Sequence, residues 1–483
     1  NSATVSQSGS SASSTITQDD ASGSDDANGA TVTQNGDSTS TLSQLSDGNT
    51  ATVDQTGDRN ASGLTQSGSG LNTADVDQDG SDLDSTINQT GSASLVDVDQ
   101  TGLDNDSSVS QGGGLNQVFV FQSNGSNDSV VIQGGGVNAA NIEQSGQGNR
   151  SGIDQNGALN EIGDGGDATV RGVLQSGDRN QSDIRQRGGT HDAFVSQSGD
   201  DNVSDIAQGG NFSSDHTADV IQSGDRNEVE IDQLGFNENA EVTQTGDANK
   251  AKIDQGGDAG RNHDARITQG LGDRNQATVF QRGIDQDATV NQSGNDNKAI
   301  VDQGRDRFGG LAGLSDTGRG ERQTATTIQS GDGNTANTVQ RGEDQMAFIE
   351  QIGNGNVGAG MTPLGEFANG ATIDQGADNG RLHNASITQN GNGNSAYTQQ
   401  RGVDQGSVVT QSGSGNLSDI AQLGQGNSAD VTQNGGSNSS NILQDATSSS
   451  ATVFQYSNGN TSNIDQSGSG QSATVTQGSA PAN

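Results

Sequence analysis

Gln133-Gly-Gly-Gly-Val-Asn138-Ala-Ala140-Asn-Ile142-Glu-Gln144 is one unit of a pattern that runs through the whole chain. Counted from its first Gln, Gly135 lies at +2, Asn138 at +5, Ala140 at +7, Ile142 at +9 and Gln144 at +11. The last four marks are two residues apart, and a period of two is a β-strand with one face turned inward. Asn, Ala, Val/Ile and Gln therefore point in. The intervening positions carry Asp, Thr, Ser, Asn, Arg and Lys and point out. The x-Gly-x-x segment between strands reads as a turn, with Gly supplying a positive φ.

The closing Gln recurs from Gln7 to Gln477 at 39 positions, and 28 of the 38 intervals are 11 residues long. Self-similarity at a fixed short period means a repeat architecture. One strand and one turn per 11 residues gives two strands per coil of about 22 residues. The seven intervals of 14 or more residues support this pairing. Six fall between an even-numbered strand and the next odd one (18→34, 155→175, 208→222, 255→269, 303→329 and 375→389), so they collect on one edge of a flattened coil. The exception, 351→375, leaves room for a degenerate strand near 356–362. The fold predicted is an all-β, two-sheet β-solenoid of cross-β type. It forms one continuous domain over 1–477, with edge insertions near 156–167, 304–322 and 352–370 and a short tail at 478–483. At ~4.8 Å per coil such a stack would be roughly 90–95 Å long.

Composition agrees. Only 26% of residues are hydrophobic and 74 are Gly, which in an aperiodic chain would read as disorder. A solenoid avoids the core-size problem because each unit buries its inner face against its neighbours. Gln and Asn amides at fixed inward slots can bond to their copies above and below, as in cross-β ladders. The ladder set includes Gln7, Gln133, Asn138, Gln144, Gln233, Gln244, Asn427, Gln433 and Gln477, with Gly135, Ala140 and Ile142 completing the unit. Pro occurs only at 363 and 481, and Pro cannot donate to a ladder.

The net charge of −40 argues against a nucleic-acid partner, because a phosphate backbone needs a basic face. It favours solubility before assembly and loose attraction of cations. There is no Cys, so ladders rather than disulfides must hold the fold. No stretch approaches the ~20 apolar residues of a membrane span. The chain opens directly with Asn1-Ser-Ala-Thr-Val-Ser-Gln7, which reads as a mature form without its targeting segment.

The unit resembles the curlin repeat, Ser-x5-Gln-x-Gly-x2-Asn-x-Ala-x3-Gln, of bacterial curli fibre subunits. Gln133, Gly135, Asn138, Ala140 and Gln144 match its second half, as do Gln233, Gly235, Ala240 and Gln244, with Glu238 in place of Asn. The likeness covers nearly the whole chain, which carries many more repeats than the family usually does. It also departs from the family in placing Ala-x-Val/Ile in both strands, where curlins often have Ser at one start. The resemblance implies a secreted, self-assembling amyloid subunit of the extracellular matrix at the cell surface. It further implies a nucleating minor subunit and a dedicated outer-membrane secretion pore as partners. The first and last strands are ordinary members of the repeat, so head-to-tail addition, which does not close, would give filaments. The alternative from another class is a monomeric, cation-stabilised surface solenoid acting as adhesin or stalk.

Four side chains stand out. His191, His216, His263 and His383 each lie six residues before a motif Gln, in the Asn slot. They read as substituted ladder positions; a pH role is the alternative, and a zinc site would need three or four converging ligands. Outward Phe119, Phe121, Phe194, Phe280, Phe348 and Phe454 read as scattered surface residues, or else as a lateral-contact face. No nine-residue calcium repeat and no EF-hand spacing occurs, so no cofactor is expected beyond weak calcium binding. Asp97 and Asp99 are alternate outward positions on one strand, a solvated face rather than an acid/base pair. Thr15/Thr17, Thr31/Thr33 and Thr474/Thr476 are too widely separated for an ice-binding array. Gly112-Gly-Gly114 is a turn, not a phosphate loop. Nothing stands out from the repeat as a catalytic cluster, and the reading is not an enzyme.

Overall fold

A computed structural model of the chain describes residues 1–19, 27–162, 172–210, 213–304, 320–356, 370–376 and 380–479. These form two compact units, Asn1–Gly235 and Phe236–Asn483. The described residues are all strand and turn, with no helix long and apolar enough to cross a membrane.

In the first unit each strand pairs in parallel with the strand two along. Strand Gln117–Gly125 lies between Leu95–Leu103 and Ala139–Gln147, and strand Asp128–Gly136 between Asp106–Gln111 and Arg150–Ala158. The register is Gln on Gln throughout: Gln111 on Gln133, Gln133 on Gln155. A slip of one residue would turn every apolar side chain to solvent, so the alternating pattern holds that register. The two ladders share one thin core, in which Val98, Val109, Val120, Val131, Ile142 and Ile153 are all buried.

The second unit repeats the scheme. Within strand Lys250–Gln269, residues 250–255 pair with Gln276–Gln281 and residues 261–269 pair with Gly283–Ser293. From Ala336 to Ile464 the buried Ala, Val and Ile of both ladders form one cluster. Each buried Val or Ile removes apolar surface worth about 1.5–3 kcal/mol from water.

The structure corrects three sequence expectations. Ala-x-Val/Ile does not stand in both strands throughout. In the second ladder of the first unit the Ala slot is held by Ser40, Ser62, Ser85, Ser107, Ser129, Ser151, Ser182 and Ser204, all buried. Ser fills this inward slot as Ala does, and Val229 closes the same column on Ser204. Next, a spacing of six before Gln does not always locate the Asn slot. The Asn160 N–H donates to Asn138 Oδ1 (3.1 Å) and the Asn356 N–H to Asn334 Oδ1 (3.1 Å), so each fills a slot five residues after the preceding Gln. The extra residues come later in those two units. Of the insertions expected near 156–167, 304–322 and 352–370, residues 156–158, 161–162 and 320–322 are strand, and 163–167, 305–319 and 357–369 lie outside the described residues, as do Pro363, Pro481 and most of the degenerate strand sought near 356–362.

Glycine, finally, supplies only part of the positive φ. Gly135 has φ 88°, and a Cβ there would sit 1.9 Å from the Gly157 carbonyl oxygen of the next coil, so no other residue fits. The residue just before the Asn slot is also left-handed, and it need not be Gly. Leu71, Leu115, Val137 and Leu159 take φ between 60° and 62°. Arg–Asp pairs use the same place: Arg179 donates from Nε and Nη2 to Asp201 at 2.7 and 2.9 Å, and Arg274 to Asp296 at 2.7 and 2.8 Å.

Candidate functional site

The site is a set of columns rather than a pocket. The first column is glutamine. Gln111 Nε2 donates to Gln133 Oε1 (2.9 Å), and Gln133 Nε2 donates to Gln155 Oε1 (2.8 Å). The second N–H of Gln133 donates to the Gln117 carbonyl (3.0 Å), sixteen residues earlier. A backbone carbonyl can only accept, and of the amide's two ends only the nitrogen donates, so this contact fixes which way each amide faces. All three polar functions of an interior Gln are thereby satisfied without water, which makes its burial affordable in a thin core.

The other ladder glutamines behave alike. Gln7 donates to Gln34 (2.6 Å), Gln144 to Gln175 (2.8 Å), Gln244 to Gln269 (2.8 Å) and Gln433 to Gln455 (2.9 Å). Gln233 accepts from Gln208 (3.0 Å) and Gln477 from Gln455 (2.7 Å). In every one of these bonds Nε2 of the earlier coil donates to Oε1 of the later one. The column therefore has a direction.

Asparagine forms the second type of column, and it runs in the opposite sense. The Asn138 N–H donates to Asn116 Oδ1 (3.0 Å), and Asn138 Nδ2 donates to the Gly134 and Gly157 carbonyls (3.0 and 3.2 Å). Asn427 makes the same contacts, to the Leu423 and Ala446 carbonyls (2.8 and 2.9 Å), and its Oδ1 accepts the Ser449 N–H (3.1 Å). Ala140 and Ile142 are fully buried between the columns.

Turn aspartates add a third ladder. Asp178 N–H donates to Asp200 Oδ1 (3.0 Å), and Asp200 N–H to Asp225 Oδ1 (2.9 Å). The same contact at Asp37, which accepts the Ser11 N–H (2.8 Å), holds its carboxyl below the usual range. These carboxylates thus serve as acceptors for the neighbouring coil's backbone.

One of the two Asn columns changes character. Within the first unit it reads Asn116, Asn138, Asn160, His191, His216. Within the second it reads Glu238, His263, Gln286, Gln323, Gln345, His383, Gln405, Asn427. The other Asn column keeps Asn180, Asn202 and Asn227 in the first unit and Asn249, Asn275 and Asn297 in the second. The His191 and His216 rings stack at 4.7 Å, 4° from parallel. His263 Nε2 lies 4.0 Å from Glu238 Oε2, with both side chains fully buried. Burial pushes the Glu238 carboxyl up to about 9, and the imidazoles of His263 and His383 down to about 4 and of His216 to about 3. The column is thus neutral at pH 7. Among the described residues no three His, Asp or Glu side chains are grouped to hold a metal ion.

Outside, the sequence brings together what looked like isolated surface residues. Asp54, Asp77 and Asp99 stand in register on successive coils, with Asp75 beside Asp97. Partial burial, then the neighbouring carboxylates, push Asp97 up to about 6. Like charges opposite one another in a sheet are destabilising. Phe121 is exposed, whereas Phe119, Phe194, Phe280, Phe348 and Phe454 are only half-buried on outward positions.

Counting six back from the next Gln misses the Asn160 and Asn356 slots, whereas five on from the preceding Gln finds both. Comparison with protein families matches the Curlin associated repeat over residues 46–71, 72–102, 173–210, 214–246, 237–270 and 272–304. Comparison with curated proteins found no match.

Proposed function

The chain belongs to the curlin family, and from that premise we propose that it is a self-assembling subunit of an extracellular, curli-like amyloid fibre. Its role is in biofilm matrix and adhesion at the cell surface, and it acts as a structural protein rather than an enzyme. The observation that carries this reading is the common direction of the glutamine bonds. A coil offers Oε1 acceptors on the side facing earlier coils and Nε2 donors on the side facing later ones. A second copy added in the same sense places donors on acceptors. A copy added in reverse places acceptor on acceptor. Growth is therefore head to tail by strand templating, and a heterologous contact of this kind does not close. A nucleating minor subunit and an outer-membrane secretion pore are the partners the family resemblance suggests.

A second reading, a monomeric cation-stabilised adhesin or stalk, is favoured by one observation: the in-register carboxylate columns at Asp54/Asp77/Asp99 and Asp75/Asp97. Weak calcium binding there would relieve their repulsion. Electron microscopy and fibre diffraction after denaturant removal, with and without a calcium chelator, separate the two. Unbranched filaments with a meridional spacing near ~4.7 Å in both conditions support the fibre. Discrete monomers that unfold with chelator would replace it with the adhesin.

A further inference from the structure

His191 reproduces three of the four bonds of the asparagine it replaces, lacking only the second Nδ2 donation to the next coil's turn carbonyl. At Asn138 the backbone N–H donates to the previous slot, Oδ1 accepts the Asn160 N–H (3.1 Å), and Nδ2 donates to the Gly134 carbonyl four residues back (3.0 Å). At His191 the backbone N–H donates to Asn160 Oδ1 (3.3 Å), Nδ1 faces the His216 N–H (3.4 Å), and Nε2 lies 2.9 Å from the Arg187 carbonyl, again four residues back. A carbonyl can only accept, so Nε2 carries the proton. Nδ1 is then left as the acceptor for the ladder. Unlike an amide oxygen, that acceptor can be protonated.

We propose that His191 is a proton-operated break point in the first unit. As a neutral imidazole it takes the place of asparagine, whereas protonation at Nδ1 sets an N–H against the buried His216 N–H and opens the stack between strands Asp192–Ser198 and Thr217–Ser223. A buried donor left facing a donor loses its bond and carries its full desolvation cost. The added positive charge would also lie 4.7 Å from the second ring.

The charged and titratable groups around the ring do little to offset this. Asp215, on the turn before Thr217–Ser223, favours the cation, but its carboxylate is at the rim and is engaged by Thr190 Oγ1 (2.7 Å) and Ser214 Oγ (2.8 Å). Arg187, on strand Gln181–Gly189, presents its carbonyl. Glu161 of strand Glu161–Ile162 and Asp192 occupy the alternate, outward positions of their strands. Burial accordingly lowers the imidazole of His191 from its ordinary value, the direction that makes acid destabilising. The inference concerns the single chain and does not rest on fibre formation.

Amide hydrogen exchange on the full chain, corrected for the intrinsic pH dependence, tests it in wild type and His191→Asn. In wild type, opening of the amides of strands Asp192–Ser198 and Thr217–Ser223 rises by up to about a hundredfold per pH unit below about 6.5, because His191 and His216 each take up a proton on opening. In His191→Asn the rise falls to about tenfold per pH unit, the share left by His216, and strand Asp128–Gly136 responds in neither protein. An unchanged pH response in His191→Asn, or none in wild type, overturns the proposal. Should the variant fail to fold, ¹⁵N NMR of the wild-type imidazoles decides. An Nε2–H tautomer with unprotonated Nδ1 in the closed state at pH 5 supports the proposal. A doubly protonated His191 in a fully protected coil overturns it.

Discussion

Glutamine and asparagine differ in what the stack asks of them. The Gln amide sits inside the coil with both N–H groups and its oxygen committed, and only Gln has that reach and that set of donors and acceptors. The Asn slot lies at the mouth of a turn and needs one acceptor for the next coil and one donor for the carbonyl four residues back. Histidine meets this at His191. Gln286 meets the donor half, with Nε2 on the Arg282 carbonyl at 2.8 Å, while its Oε1 accepts no hydrogen bond from the described residues. Glu238 meets it only as the acid, because a carboxylate has no donor, and burial favours the protonated form. The sign follows from that: a carboxyl raised from 4.5 to about 9 on folding has no cost below pH 4.5 and a growing cost as pH rises toward 9. Glu238→Gln is expected to leave stability at pH 4.5 nearly unchanged and to raise it by roughly 5 kcal/mol at pH 8.5, about 1.4 kcal/mol for each pH unit above 4.5. Denaturant midpoints at the two pH values check this; an equal gain at both would mean that packing, not protonation, sets the effect.

The turn is the element that lets coils stack so closely. Its Gly leaves no room for a Cβ, and its residue before the Asn slot is held left-handed even when it is bulky. Leu115, at φ 60°, is 58% exposed, so it bears backbone strain without much packing in return. A left-handed conformation costs an ordinary L-residue roughly 1–2 kcal/mol, and Asn tolerates it. Leu115→Asn is therefore expected to stabilise the first unit by about 1 kcal/mol, read as a higher denaturant midpoint at unchanged slope. A loss of stability would show that the exposed column Leu71, Leu115, Val137 and Leu159 holds itself together by side-chain contact. Strand periodicity, inward and outward faces and the ladder glutamines were legible in the sequence because a period of two permits one assignment. The left-handed leucines were not, since their conformation is imposed by the stacked turns on either side and carries no residue signature.

At the scale of the whole molecule, charge opposes what the amides favour. Chains of net charge −40 repel one another, and the in-register carboxylates add local repulsion along the growth direction. Salt shortens the Debye length from about 30 Å at 0.01 M to about 8 Å at 0.15 M. Filament growth, followed by light scattering, is expected to accelerate at least several-fold over that range in sodium chloride alone. Acceleration by calcium but not by sodium would point instead to specific bridging of the Asp columns.

An eleven-residue period, a two-residue alternation and a recurring inward Gln were enough to specify strands and coils, because each is a local rule repeated until only a stack satisfies all its copies; the likeness to the curlin repeat rests on the Gln, Gly, Asn and Ala marks themselves. Tertiary structure alone decided the rest. It gave the glutamine bonds their common direction, brought the His191 and His216 rings into a parallel stack at 4.7 Å and set His263 Nε2 4.0 Å from Glu238 Oε2. Those facts depend on how side-chain atoms meet across coils about 4.7 to 4.9 Å apart, which a count along the chain does not give.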